Sequence, residues 1–198
     1  MKKLIVIIAI CLATAFSANA QNWYQAGFKI STSFLTNRDY SVQGDYINGL
    51  VDADFGFFFR AGKYVFAEVG LGYAFYKGDF GNEAEGFSME RVETRHLQIP
   101  VKVVGDVPMG RASDFLPFVG IIYQPLLQVT PNGCGYTKKP TEGGKLVEKN
   151  MTLLTAGFDF KFGPIVLGVN YRYGLQSFFR NIDGKHPQYV NICAGFQF

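Results

Sequence analysis

Two histidines, three cysteines and a set of charges spaced two residues apart are the side chains in this 198-residue chain with chemistry to offer. Nucleophilic or general-base work needs a histidine within reach of a hydroxyl or thiol, oriented in turn by a third group. Neither His96 nor His186 has a serine within two residues on the same strand face. His96 reads as a strand-end residue, and His186, in Gly184-Lys185-His186-Pro187, reads as a solvated loop residue. Neither has a cysteine pair or a second histidine at ligand spacing, as a zinc site would need. No catalytic, cofactor-binding or metal-ligating residue is assigned, and the chain reads as a non-enzyme.

Cys11 lies inside an apolar run after Ile8-Ala9-Ile10 and not at its end beside a small residue, which argues against a lipid anchor. Cys134 falls in a polar loop and Cys193 near the C-terminus. The strand reading below sets these two at opposite ends of the fold, so both are expected free. Lys138, Lys139, Lys145 and Lys149 form a basic cluster in the longest polar connection. Such a cluster could meet anionic headgroups or a polyanion, though a solvated loop is the simpler reading.

The remaining charges fall on one face of alternating segments. Lys29, Arg60, Lys102, Lys161 and Arg172 share that face with Asp52, Asp54, Glu68 and Asp159, and the near balance of charge argues for a salt-bridged filling over a charge-selective pore. A narrow proton or ion path is the functional alternative.

The elements that must carry these charges are strands, because apolar residues recur at every second position. The first runs from about Ala26 to Phe34 and the second from Val51 to Arg60, separated by a polar loop from Leu35 to Asn48. Ala61-Gly62-Lys63 turns the chain into a third strand, Val65 to Phe75. After a polar stretch from Lys77 to Met89, a fourth runs through His96 to Val104, where Pro100 cannot donate to the ladder and predicts a bulge or bend. A fifth, about Phe115 to Val129, is apolar on both faces and its register stays open. Thr130 to Asn150 is a long connection, Leu154 to Phe162 the sixth strand, Gly163-Pro164 a tight turn and Ile165 to Gln176 the seventh strand. Ser177 to Pro187 leads to a last strand, Val190 to Phe198. Eight strands joined by alternately long and short connections predict an all-β fold, an eight-stranded antiparallel up-and-down transmembrane barrel with both termini in the periplasm.

Residues 1–20 read as a secretory signal: Lys2 and Lys3, an apolar core from Leu4 to Phe16, then Ala18-Asn19-Ala20. Its apolar core is shorter than the ~20 residues a membrane helix needs. Residues 21–198 form one barrel domain, and loss of Lys2 and Lys3 lowers the formal charge from +3 to +1. That near neutrality excludes a phosphate-neutralising nucleic-acid binder.

A soluble eight-stranded barrel would alternate too, with its apolar face inward. Here the polar face is mostly glycine, serine and threonine with few charges, a poor solvent surface but a fitting interior. The opposite face carries large aromatics, and Trp23, Tyr24, Tyr64, Phe196 and Phe198 suit an interfacial girdle.

Arg95-His96-Leu97-Gln98-Ile99-Pro100-Val101-Lys102, then Leu116-Pro117-Phe118-Val119-Gly120, and the closing Ala194-Gly195-Phe196-Gln197-Phe198 resemble the PorT-like outer-membrane β-barrel family, among the small OmpA-type barrels. The resemblance spans about Gly27 to Phe198. His96 stands where that family usually has an aromatic, and Gln98 where it usually has Glu. The resemblance implies an outer-membrane location and is silent on activity. Outer-membrane lipid is the expected partner, with envelope or secretion proteins meeting the outer loops of a monomer. The role expected is structural, interactive or accessory to secretion, with a small channel as the alternative and a lipid-modifying barrel enzyme a more distant one.

Overall fold

The structure, a computed structural model, describes residues 24–36, 45–82, 87–110, 112–131, 148–177 and 186–198, with backbone alone over 45–52, 78–82, 87–92 and 129–131. The signal segment, Trp23, Cys134, Lys138, Lys139, Lys145 and the side chain of Asp52 lie outside the described residues.

Nine strands follow in order: β1 (Tyr24–Leu35), β2 (Asp45–Gly62), β3 (Val65–Asn82), β4 (Phe87–Gly105), β5 (Val107–Pro108), β6 (Ser113–Pro131), β7 (Asn150–Phe162), β8 (Ile165–Gly174) and β9 (Gln188–Gln197). β5 is a two-residue piece paired to the start of β6, and the other eight are staves of the barrel. They lie in the order β4-β3-β2-β1-β9-β8-β7-β6, and the β4–β6 pairing closes the ring. Every pairing is antiparallel. Closure removes the sheet edges that would otherwise leave unpaired backbone groups. The first and last staves meet at the short-turn end, where Ala26 and Phe198 exchange both backbone hydrogen bonds at 3.0 and 2.8 Å. At that same end Gly163 takes φ 58°, as the first residue of a two-residue primed hairpin turn requires.

Alternation sends the large apolar side chains outward. Phe57 is 69% exposed, whereas its neighbour Phe58 is 6% exposed and Arg60 wholly buried. Val69, Leu71, Val101, Val103, Val119, Ile121, Leu167 and Val169 form an exposed aliphatic belt. Aromatics flank it: Tyr24 stacks on Phe59 and Phe28 packs on Phe196 toward the turn end, while Phe55, Tyr73 and Phe75 cluster toward the other. A continuous apolar exterior around a charged interior inverts a soluble protein and has the organisation of a transmembrane barrel.

Three sequence expectations change. The Lys77–Met89 stretch is mostly strand, because β3 and β4 continue to Asn82 and from Phe87. Pro100 makes no bulge: it keeps register with Ile122, and its ring takes the space that a side chain on Gly70 would fill, 2.8 Å from the position of a Cβ there. The irregularity falls instead between Arg95 and His96, where Leu127 is the extra residue on β6. The open register of β6 also resolves, with Leu116, Phe118, Ile122 and Gln124 buried in the lumen and Val119, Ile121 and Tyr123 outside.

Candidate functional site: the charged lumen

Inward positions at the turn end gather a chain of five charges. Lys102 Nζ meets Glu68 Oε1 at 2.8 Å, Glu68 Oε2 meets Arg60 Nε at 2.6 Å, Arg60 Nη2 meets Asp159 Oδ2 at 3.1 Å, and Lys29 Nζ meets that same oxygen at 2.5 Å. Arg60 also donates to Gln197 Oε1 at 2.8 Å, so β2, β3, β4, β1, β7 and β9 are tied across the bore. Aromatic faces complete the cage: Arg60 lies over Phe58 at 4.7 Å, and Lys102 lies over Phe118 at 4.6 Å. Phe66, Val104, Leu116 and Phe118 form an apolar cluster within this half. Charge burial on this scale costs several kcal/mol per ion and persists only where each ion is paired.

The middle layer is hydrogen-bonded around a second ion pair. Arg172 Nη1 donates to Asp54 Oδ2 at 2.7 Å, and Ser31 donates to Asp54 Oδ1. Arg172 Nε donates to Asn170 Oδ1 at 3.2 Å, Asn170 to Asn191 at 2.8 Å, and Asn191 to the Ser33 hydroxyl at 2.8 Å. Towards the loop end the bore is filled by uncharged groups. Tyr76 donates to Gln124 at 2.8 Å and meets the edge of His96 at 5.1 Å, with Tyr189, Met151 and Leu153 buried beside them. Between the lower and middle layers a cavity of about 60 Å³ remains, lined by Lys29, Asp54, Glu68, Gln98, Lys102 and Arg172, among others.

Inward glycines make room for the long side chains. A Cβ on Gly168 would collide with Asp159 Oδ1 and Cys193 Sγ, and one on Gly120 with the stem of Lys102. The polar face is small because its charged members need the space.

Of the nine charges assigned inward from sequence, Lys29, Arg60, Lys102, Arg172, Asp54, Glu68 and Asp159 converge in the lumen. Lys161 does not: it pairs with Asp114 at 2.8 Å, half-exposed at the turn-end rim. His96 is not a strand-end residue, because β4 begins at Phe87 and places it mid-strand and wholly buried, 3.2 Å from Thr94 Oγ1. His186 is not simply solvated, since it is half-buried and stacks on Tyr173 at 5.4 Å. Cys193 is free and buried. Tyr76, Gln124 and Tyr189 were missed, although the alternation from Glu68 through Gly70, Gly72 and Ala74 leads directly to Tyr76.

Outside the staves, the Asp106 carboxyl at the turn end is pushed above the usual carboxylate range by its burial and by nearby Asp114.

No protein-family model matches this chain, and no curated protein does. Among solved structures, the outer membrane protein OprG from Pseudomonas aeruginosa superposes with a TM-score of 0.51 at 10% identity, covering 88% of this chain and 95% of that one. The N-terminal β-barrel domain of Pseudomonas aeruginosa OprF gives 0.43 at 10% identity over 88% and 97%. Ail, the attachment invasion locus protein of Yersinia pestis, gives 0.42 at 11% identity over 88% and 97%. With its apolar exterior, its closed ring and its likeness in fold to OprG, the chain has the architecture of a small eight-stranded outer-membrane β-barrel.

Proposed function

We propose that this chain is an integral outer-membrane barrel of the PorT-like type whose role is structural or interactive, as an accessory to envelope assembly or secretion, and not enzymatic. The observation that carries the reading is the filled bore. Arg60, Glu68 and Asp159 close it towards the turn end, and Tyr76, His96 and Tyr189 close it towards the loop end, all buried. A rigid, plugged cylinder is a scaffold, and on such scaffolds recognition is carried by the loops. Within this reading residues 1–20 are removed on export, both termini face the periplasm, and the barrel is a monomer in outer-membrane lipid. The segments 95–102 and 116–120, which resemble the PorT-like pattern, support the outer-membrane location. The non-enzymatic reading is supported by burial in the lumen, where His96 and the Thr94 hydroxyl beside it are sealed in against Tyr76, out of a substrate's reach.

Deleting the gene and profiling the secreted and surface proteins tests the role. Loss of a defined set of exported proteins is the expected result, and an unchanged secretome with altered solute uptake would replace it with the channel reading. The polar cavity between the layers is what favours that second reading, and conductance well above background in planar bilayers would be its signature.

A further inference from the structure

The described side chains of the lumen hold more cations than carboxylates, and they leave a buried donor unpaired. Among the described side chains of the lumen, four cations (Lys29, Arg60, Lys102, Arg172) face three carboxylates (Asp54, Glu68, Asp159). All six oxygens of those carboxylates already accept a hydrogen bond. Asp54 takes Ser31 and Arg172, Glu68 takes Lys102 and Arg60, and Asp159 takes Cys193 on one oxygen and both Lys29 and Arg60 on the other.

Besides Gln124 Nε2 and Arg95 Nε, donors are left over around one cavity. Lys29 and Lys102 each spend one N–H on a carboxylate and retain two. Both ammonium groups lie within 6 Å of the centre of the same Phe118 ring, at 5.8 and 4.6 Å. Gln98, 5% exposed, carries a buried Nε2 with no partner. All three residues line the cavity of about 60 Å³.

We propose that this cavity binds one small monovalent anion of halide size, held by Lys29, Lys102 and Gln98. A halide accepts hydrogen bonds and donates none, so it can take the spare N–H groups of two ammoniums and one amide at once. Its negative charge lies against two ammonium groups, where the described side chains hold one cation more than carboxylates. Water fits less well: it brings no negative charge to a site where two ammonium groups and an amide N–H converge. The volume matches as well, since a water takes about 30 Å³ in the liquid, which leaves room for a halide with one companion water. A cation is repelled by the two lysines at the same spot.

The test uses the whole exported protein in detergent micelles. Crystals grown with bromide in place of chloride give an anomalous peak between Lys29, Lys102 and Gln98. In solution the melting temperature rises and saturates with sodium bromide but not with sodium gluconate at equal ionic strength, because gluconate is too large for the cavity. Gln98→Leu keeps every charge and removes one donor, raising the half-saturating bromide concentration about tenfold, the loss of one hydrogen bond to a charged group. Bromide peaks confined to the protein surface, equal stabilisation by gluconate, or a bromide response unchanged in Gln98→Leu would each overturn the assignment. The diffraction arm needs no variant, so a Gln98→Leu protein that fails to fold does not leave the question open.

Discussion

Arg60 is the keystone of the lower layer, and a double-mutant cycle with Glu68 measures how the lumen balances its charge. Arg60→Met keeps much of the side-chain volume but removes donors to Glu68 at 2.6 Å, Gln197 at 2.8 Å and Asp159 at 3.1 Å. Removing one partner of a buried ion pair costs about 3–5 kcal/mol. The lower end applies here, because Glu68 keeps Lys102 and Asp159 keeps Lys29, so neither carboxylate is orphaned. Among the described side chains of the lumen, three cations then face three carboxylates. Glu68→Gln has nearly the same shape, yet it leaves both Arg60 and Lys102 against a neutral amide and raises the excess from one positive charge to two. Its cost belongs at the upper end, about 5 kcal/mol. The double variant returns the excess to one, so it should cost less than the two single changes together, by about 1–3 kcal/mol for side chains in one network. Equilibrium urea unfolding in lipid vesicles, followed by circular dichroism and by gel mobility, reads all three values. Additivity within about 0.5 kcal/mol, or a Glu68→Gln barrel more stable than Arg60→Met, would refute the charge-balance reasoning.

Leu71, 57% exposed in the aliphatic belt, tests embedding: Leu71→Arg should destabilise the barrel in a bilayer by about 2–4 kcal/mol, and a neutral effect would indicate a water-facing surface. Gly168→Ala places a methyl 2.8 Å from Cys193 Sγ and against Asp159, and should cost about 1–3 kcal/mol by urea unfolding as an overpacking change. Gly163→Ala meets nothing within 4 Å but inherits a φ of 58°, so about 1 kcal/mol of left-handed strain is expected, with Gly163→Asn closer to neutral. Asp106→Asn should raise the melting temperature at neutral pH. A carboxyl whose pKa is raised on folding contributes stability while protonated and loses it as pH rises. The gain should therefore shrink towards zero as pH falls through the carboxylate range, and a gain that persists in acid would contradict the assigned cause.

Much of this barrel was legible because its main signal is local. Phe55, Phe57 and Phe59 against Asp54, Gly56 and Arg60 declare their two faces without reference to any other strand. The tight turn at Gly163-Pro164 was legible for the same reason, while the other falls on Lys63-Tyr64, just past the expected Ala61-Gly62-Lys63. β6 was not: Leu116, Phe118 and Ile122 are as apolar as Val119 and Ile121, so only pairing with β4 and β7 decides which set enters the bore. Pro100 misled for a related reason, since the room that spares it a bulge comes from Gly70 on the neighbouring strand.

In the staves that alternate cleanly, the sequence by itself determined which residues would be hidden and which would be greased, because a strand's period of two is fixed by its own backbone. Only the tertiary structure decided who pairs with whom. Arg60 reaches Asp159 across 99 residues and Gln197 across 137, and those contacts depend on the stagger of the staves and the width of the bore. Neither quantity is written in the spacing of charges along one strand. The surplus of donors around Lys29, Lys102 and Gln98 emerges at that level alone, once every carboxylate oxygen has found its partner.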